Sequence, residues 1–505
     1  MMIRPFFYRL ASVAGMAFCL SLPAMASAGN SHTGDASNPP VIVQKNVVAA
    51  TPTNGFSSEL ERGAYLAKAG DCIACHRGNS VTAPPYAGGY AIASPMGSIV
   101  SPNISPSKTA GIGNYSEQEF SRAIRKGIRK DGAYLYPAMP YTAYAGLNDK
   151  DIHALYVYFM QGVAPVDEKP QAVTKLSFPF NIRLLMSGWN LLFLHDKPFK
   201  NNPKVSDEIN RGHYLVDTLA HCSTCHSPRN FFMAESSRRY LTGAAVGGWY
   251  APNITPDETE GIGSWSEEEI ARYLKTGHVN GKAQAAGSMA EAIEYSLRFL
   301  SDADLRAMAA YLKTVAPQNL TGAKQSRFSF ETRTPVHMVD IEPVTSRTAA
   351  AMSDSGSVDG QLLYENACAS CHGRNGEGTA DHFYPSLNHN SATGGLVADN
   401  LIMTILNGIE RKTNDGIAGM PAYSDELNDS QIAAIANYVL TRFGNKAIAP
   451  ISAQQVADFR ANKSDPALLM KMMPWLLSGA GFVFVVIIIL GYFRIKGLFH
   501  RRRSN

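Results

Sequence analysis

One stretch of this chain occurs twice, and that repetition limits the possible folds more than any other feature. RGAYLAKAGDCIACHR begins at Arg62, and RGHYLVDTLAHCSTCHSP begins at Arg211. Further on, SPNISPSKTAGIGNYSEQEF (Ser101 to Phe120) matches APNITPDETEGIGSWSEEEI (Ala251 to Ile270). From Cys72/Cys222 to Met139/Met289 the offset is 150 residues throughout. A constant offset means two copies of one folding unit. A third, shorter copy opens with DGQLLYENACASCHGRNGEG at Asp359 and closes with MPAYSDELNDSQIAAIANYVLTRFG, Met420 to Gly444. The 505 residues are enough for about three domains, and 45% hydrophobic with 17% charged residues is a globular composition.

Each copy closes on a helix whose start is legible. Asn148 with Asp151, Ser301 with Asp304 and Asn428 with Gln431 are capping-type pairs three residues apart. Apolar residues follow at helical spacing: Ile152, Leu155, Tyr156 and Phe159 in the first copy, Ile432, Ile435 and Val439 in the third. An inner helix starts at Ser116 with Glu119, and again at Ser266 with Glu269; Gly127 and Gly277 stop them. No segment alternates convincingly as a strand, so the units read as small and mainly helical.

Each copy also contains the pentad Cys-x-x-Cys-His: Cys72 to His76, Cys222 to His226 and Cys368 to His372. This is the attachment frame of c-type haem. Two thiols add to the two vinyl groups of one porphyrin edge, and the adjacent histidine is delivered beneath the iron. Zinc would demand further ligands at each site, and a redox dithiol would not need a histidine beside it three times. Three covalent haems c are therefore expected, on Cys72, Cys75, Cys222, Cys225, Cys368 and Cys371, with His76, His226 and His372 as proximal ligands.

Methionine is the common sixth ligand in cytochromes c, and it raises the potential. Met139 in YPAMPY and Met289 in AAGSMAEA each lie 63 residues after their histidine, and Met420 in AGMPAY lies 48 after His372. All three are expected in a loop before the closing helix. Met96, His153, His221 and His278 lack counterparts in the other copies and read as structural or surface residues. The PNIS/PNIT and GIG segments serve equally well as pocket lining or as plain turns. The fold class is mainly α: three class I-like cytochrome c domains in tandem plus one C-terminal transmembrane helix.

The ends support that anchor. Arg4 and Arg9 precede an apolar run, Leu10 to Leu22, and Ala26-Ser27-Ala28 offers a cleavage site, as in a secretory signal peptide. The seventh cysteine, Cys19, lies within it. No charge occurs from Met472 to Phe493, and a helix of that length spans roughly 33 Å, close to a bilayer core. Arg494, Lys496 and Arg501 to Arg503 follow, which places the C-terminus in the cytoplasm and the bulk in the periplasm, on a bacterial inner membrane. The chain thus divides into a signal peptide (1–28), a linker (29–55), domain one (56–165), an apolar connecting segment (166–207) and domain two (208–317). A linker (318–357), domain three (358–445), a tether (446–471), the spanning run (472–493) and a basic tail (494–505) follow. The connecting segment, with FPFNIRLLMSGWNLLFLHDKPF, is too apolar for a free tether and is expected to pack within the chain. A net charge of +4 without a basic stripe argues against nucleic acid as a partner.

The three pentads, GGYAIASPMGSI, LYPAMPY, LAHCSTCHSPRNF, AAGSMAEAIEYSL and CASCHGRNGEG…YPSL together resemble the triheme cytochrome c subunits of membrane-bound periplasmic dehydrogenases. Those enzymes oxidise alcohols, gluconate, fructose, sorbitol and related compounds, and the resemblance covers nearly the whole mature chain. It implies a separate catalytic subunit, a flavoprotein or a quinoprotein holding PQQ, with room for a small accessory subunit. It further implies electron transfer through three haems to membrane ubiquinone. It implies the same six cysteines, three histidines and Met139, Met289 and Met420 as haem and iron partners. With both axial positions filled and no dinucleotide fingerprint, the chain itself is expected to move electrons and not to oxidise substrate. Two other readings stay open: a haem enzyme with one labile ligand, and a cytochrome subunit feeding a terminal oxidase or another respiratory complex.

Overall fold

The computed structural model describes residues 55–78, 80, 82–330, 334–337, 354–413, 416–462, 470–476 and 478. The signal peptide, the first linker up to residue 54 and the basic tail lie outside the described residues.

The first unit opens with α1 (Glu59–Ala69), capped by Ser58, and the short α2 (Cys72–His76). The hairpin β1 (Ala91–Ser94) and β2 (Gly97–Val100) comes next, pairing Ala91 with Val100 and Ser94 with Gly97. Then come α3 (Glu117–Lys126), α4 (Tyr141–Tyr144) and α5 (Asp149–Val157), which runs on through a π turn to Gly162. Ser116 and Glu119 form the expected capping box on α3, and Gly127 ends it at φ 62°. The connecting segment supplies β3 (Lys175–Leu176), which pairs with β2, and α6 (Leu185–Phe193).

The second unit repeats the plan. It has α7 (Asp207–Tyr214), α8 (Ser223–His226), the hairpin β4 (Ala244–Val246) and β5 (Trp249–Ala251), and α9 (Glu267–Thr276) with its own Ser266/Glu269 capping box. A small ribbon, β6 (His278–Val279) and β7 (Ala283–Gln284), precedes α10 (Gly287–Tyr295) and α11 (Asp302–Thr314). The third unit has α12 (Gly360–Ala367), α13 (Ala369–His372), α14 (Asp399–Asn407), the hairpin β8 (Ile409–Thr413) and β9 (Gly416–Met420), α15 (Asp429–Phe443) and α16 (Ala453–Arg460).

In every unit the first helix crosses the closing one at a glycine. A Cβ at Gly63 would overlap the carbonyl of Ala154; Gly212 meets Ala307 and Gly360 meets Ala434 in the same way. A tyrosine one turn on, Tyr158, Tyr311 or Tyr438, closes each crossing. Only a residue without a side chain lets the two backbones approach that closely.

Units one and two share a single core. Tyr65, Leu66, Leu155 and Phe159 pack in one cluster with Tyr214, Leu219, Leu305 and Met308. Two charge exchanges lock it. Arg62 bonds Asp151 of its own unit at 2.6 Å, and Tyr214 of the other unit donates to that carboxylate at 2.5 Å. Reciprocally, Arg211 bonds Asp304 at 2.7 Å, and Tyr65 donates to Asp304 at 2.6 Å. The two copies are thus related as a pseudo-symmetric pair, and their buried carboxylates are fully answered.

The third unit has its own core around Leu363, Tyr364, Ile402, Ile432, Val439 and Phe443. It docks on the second through polar contacts and through Trp249 of unit two, which packs against the third core. The buried Arg411 on β8 donates to Thr276 O (3.1 Å), Ala285 O (2.6 Å) and Gln284 Oε1 (3.0 Å). Asn400 exchanges two 2.9 Å bonds with the Tyr250 backbone.

Four expectations change. The β-hairpins escaped the strand reading, because strands of three to five residues are too short for a period of two to stand out in the sequence. The connecting segment packs by one face only: Asn190 accepts from Tyr141 Oη at 2.8 Å and Trp189 donates to Phe232 O at 2.9 Å, whereas Leu184, Leu185, Leu191 and Leu192 stay exposed. Part of the stretch read as a tether forms α16, whose Val456 is fully buried against the third unit. Finally, the transmembrane helix in the expected fold class is withdrawn. Among the described residues no helix is long and apolar enough to cross a membrane, and of the run 472–493 only 472–476 and 478 are described. A charge-free composition sets a possible length; it does not by itself make a spanning helix.

Candidate functional site

Each pentad forms one helical turn. Cys72–His76 is α2 itself, and Cys222 and Cys368 cap α8 and α13. One turn places both sulfurs on the same side, three residues apart, with the histidine directly after. The six pentad cysteines are free thiols. Burial pushes Cys72, Cys222 and Cys368 up to about 12, and Cys75 up to about 11. Among the described residues no three His, Cys, Asp or Glu side chains are grouped as a metal site.

The three histidines are oriented identically. His76 Nδ1 lies 2.8 Å from Pro102 O, His226 Nδ1 lies 2.7 Å from Pro252 O, and His372 Nδ1 lies 2.9 Å from Pro385 O. A carbonyl only accepts, so each Nδ1 carries the proton and donates, which leaves Nε2 as the lone-pair nitrogen. That is how a metal-ligating imidazole is fixed in tautomer and plane. Burial lowers all three histidines, His226 to about 4, so the imidazoles are neutral, as iron ligation requires. The backbone repeats around them. Gly88 N, Gly243 N and Gly378 N donate to the carbonyls of His76, His226 and His372 at 2.9, 2.7 and 2.9 Å. Paired thiols over a pinned imidazole fit covalent haem c.

Pro102, Pro252 and Pro385 are functional positions that sequence reasoning left undecided. The signal was present: PNIS and PNIT stand at matching places, 26 residues after their histidines. The third copy carries YPSL instead, which hid the equivalence.

The candidate methionines occupy three different settings. Met139 sits in the turn before α4, where its carbonyl accepts from Tyr141 N at 2.7 Å. Met289 lies inside α10 and not in a loop, because the second unit forms a longer helix there. Met420 ends β9, opposite Ile409. Met139 and Met289 both pack against the shared core. The rival residues are engaged elsewhere. Met96 turns the β1–β2 hairpin and accepts from Ser177 N at 2.9 Å. His153 faces the exposed Glu117 at 3.2 Å, His278 pairs with Gln284, and His221 stands edge-on to Tyr144.

Cys72 and Cys222 of the first two pentads both pack against the shared core. Cys225 bears electrostatically on Cys75, and Asp71 on Cys225. Beside them Arg77 bonds Glu291 at 2.9 Å and lies over the rings of Tyr90 and Tyr295. Such closeness suits two centres that exchange electrons.

Comparison with known proteins agrees. A cytochrome c family profile matches residues 60–162 and 357–442. The chain is 45% identical to the fructose dehydrogenase cytochrome subunit of Gluconobacter japonicus over 447 residues, 87% of this chain and 90% of that one. It is 36% identical to the cytochrome c subunit of alcohol dehydrogenase (quinone) from Gluconacetobacter polyoxogenes, over 82% of this chain and 86% of that one. It is also 36% identical to the gluconate 2-dehydrogenase cytochrome c subunit of Pantoea cypripedii, over 80% and 90%.

Proposed function

This chain belongs to the family of cytochrome c subunits of fructose, alcohol and gluconate dehydrogenases, and on that premise we propose that it holds three haems c and relays electrons from a catalytic dehydrogenase subunit to ubiquinone. The observation that carries the reading is the threefold histidine-to-proline hydrogen bond behind three Cys-x-x-Cys-His turns. Haem c supplies reversible one-electron chemistry. Cys72, Cys75, Cys222, Cys225, Cys368 and Cys371 would hold the three groups covalently. His76, His226 and His372 would ligate the irons, and Met139, Met289 and Met420 would supply the thioether ligands. The partner is a flavoprotein, because the relative with the highest identity quoted above serves a sugar dehydrogenase and not the quinone-dependent alcohol enzyme. The complex works in the periplasm, where a cleaved N-terminal leader delivers it.

Haem stoichiometry tests the assignment. Wild-type protein should carry three covalent haems by haemochrome assay and intact mass, and each paired Cys→Ala variant should carry two. Met139→Ala, Met289→Ala and Met420→Ala should each turn one ferric haem high-spin. Fewer than three haems in the wild type, or a methionine variant with an unchanged spectrum, would remove that site from the assignment.

A further inference from the structure

The second unit encloses two N–H donors that have nothing to donate to. Trp265 is 5% exposed and its Nε1 has no hydrogen-bond partner; Arg327 is 7% exposed and its Nε has none either. Arg327 makes one long bond, from Nη2 to Asn253 O at 3.3 Å. Among the described residues no carboxylate lies within ion-pair distance of its guanidinium. Glu260, an acid that acts on it electrostatically, is committed elsewhere, accepting from Leu320 N at 3.0 Å and Thr321 N at 2.7 Å. By contrast, Arg125 of the first unit also has an unpartnered Nε, but Asp149 answers its charge at 2.8 Å.

The two donors belong to one site. Phe328 bridges them: the Trp265 ring packs on it at 5.6 Å, and the Arg327 guanidinium lies 4.8 Å from its centroid. Trp265 also packs on Tyr273 at 5.5 Å, and Arg327 acts electrostatically on Tyr273, Tyr250 and His226. The backbone gives the location. Arg327 donates to Asn253 O, the carbonyl next to Pro252 O, and Pro252 O receives the proton of His226. The cation therefore stands one residue from the anchor of the second pentad. Burial pulls Arg327 down to about 10, as befits an unanswered charge. A buried guanidinium without an anion is strongly unfavourable, and so is a buried orphan N–H. Both are resolved together if an anion enters the pocket.

We propose that Arg327 and Trp265 bind a carboxylate of the haem attached at Cys222 and Cys225, that is, one of its porphyrin propionates. This inference rests on the reading that the second pentad holds haem. The first unit lacks the pair: Tyr115 stands where Trp265 does, and its hydroxyl accepts from Lys130 N at 3.2 Å. Arg327 comes from the segment after the second domain, so that segment is part of a haem site and not a bare linker. A cation beside a haem disfavours the extra positive charge of ferric iron, so the pair raises the potential of this haem alone.

The test is a potentiometric titration of the full chain with Arg327→Met, Arg327→Lys and Trp265→Phe, each checked for haem content. Arg327→Met should lower one of three midpoint potentials and leave two in place. Arg327→Lys should restore most of the shift, and Trp265→Phe should give a smaller shift of the same sign. The redox-induced infrared difference spectrum should move in its carboxylate region. In a Cys222→Ala/Cys225→Ala background, Arg327→Met should move neither remaining potential. Three haems retained with all potentials and carboxylate bands unchanged would overturn the proposal. A wild type without haem at the second pentad would instead overturn the reading beneath it. If Arg327→Met fails to accumulate, Trp265→Phe decides by the same two readouts.

Discussion

Units one and two share a single core and trade tyrosine–aspartate bonds across it, whereas unit three keeps its own core and meets unit two through polar contacts and the packing of Trp249. The helix-crossing glycine, the pinned histidine and the pentad are the same in all three. The difference therefore lies in what surrounds a common frame. Apolar sharing makes the first pair one cooperative body, with Cys72 and Cys222 packed against its core. Docking by a few polar bonds and one tryptophan lets the third unit be a separable module.

The crossing glycines should break this contrast most strongly. Gly212→Val and Gly360→Val each force a side chain into a backbone carbonyl, at a cost above about 3 kcal/mol. Gly212→Val should melt units one and two together in hydrogen exchange; Gly360→Val should melt unit three alone. The buried carboxylates come next. Asp304→Asn should cost about 3 kcal/mol, near the lower end for a buried pair because Arg211 is partly exposed. It should loosen unit one as well, because one of the two carboxylate oxygens that Arg211 and Tyr65 share becomes an amide donor. Asp151→Asn should mirror this through Tyr214. Exchange protection confined to the mutated unit would contradict a shared core.

Arg411→Ala sharpens the comparison at the other interface. It leaves three acceptors of unit two without their donor, a loss of about 2 kcal/mol or more. Unit three should become separable by proteolysis while its own melting stays unchanged. The smallest effect concerns acid. Burial lowers His221 to about 4, below the ordinary histidine value of about 6.5. The unfolded chain therefore binds the extra proton between those values, and stability falls as pH drops from 6.5 toward 4. At pH 6 the loss is under about 1 kcal/mol. His221→Gln should remove this histidine's share from the first pair and leave the shares of His76 and His226 in place; unit three, with Ala367 at that position, keeps that of His372.

Local chemistry was legible in the chain. The pentads and the caps at Ser116, Ser266 and Asn428 each depend on residues within a few positions of one another, and the 150-residue offset repeats such local patterns. What was not legible is long-range. Tyr65 meets Asp304 across 239 residues, and Arg411 meets Ala285 across 126. No pattern in either segment announces the other. The proline anchors fall between these cases: PNIS and PNIT were visible as a repeat, but only the fold shows that their carbonyls receive the histidine protons. The apolar run 472–493 is a lesson of another kind, since composition alone suggested an element that the described residues do not contain.

Substrate-driven reduction of the intact complex tests the central claim most directly. Fructose, sorbitol, gluconate, 2-ketogluconate, ethanol and an aldehyde would be added in turn to detergent-solubilised complex while the haem α-band is followed. The account predicts rapid reduction by one of them and reoxidation by a ubiquinone analogue. Reduction by none, with full reduction by dithionite, would contradict it.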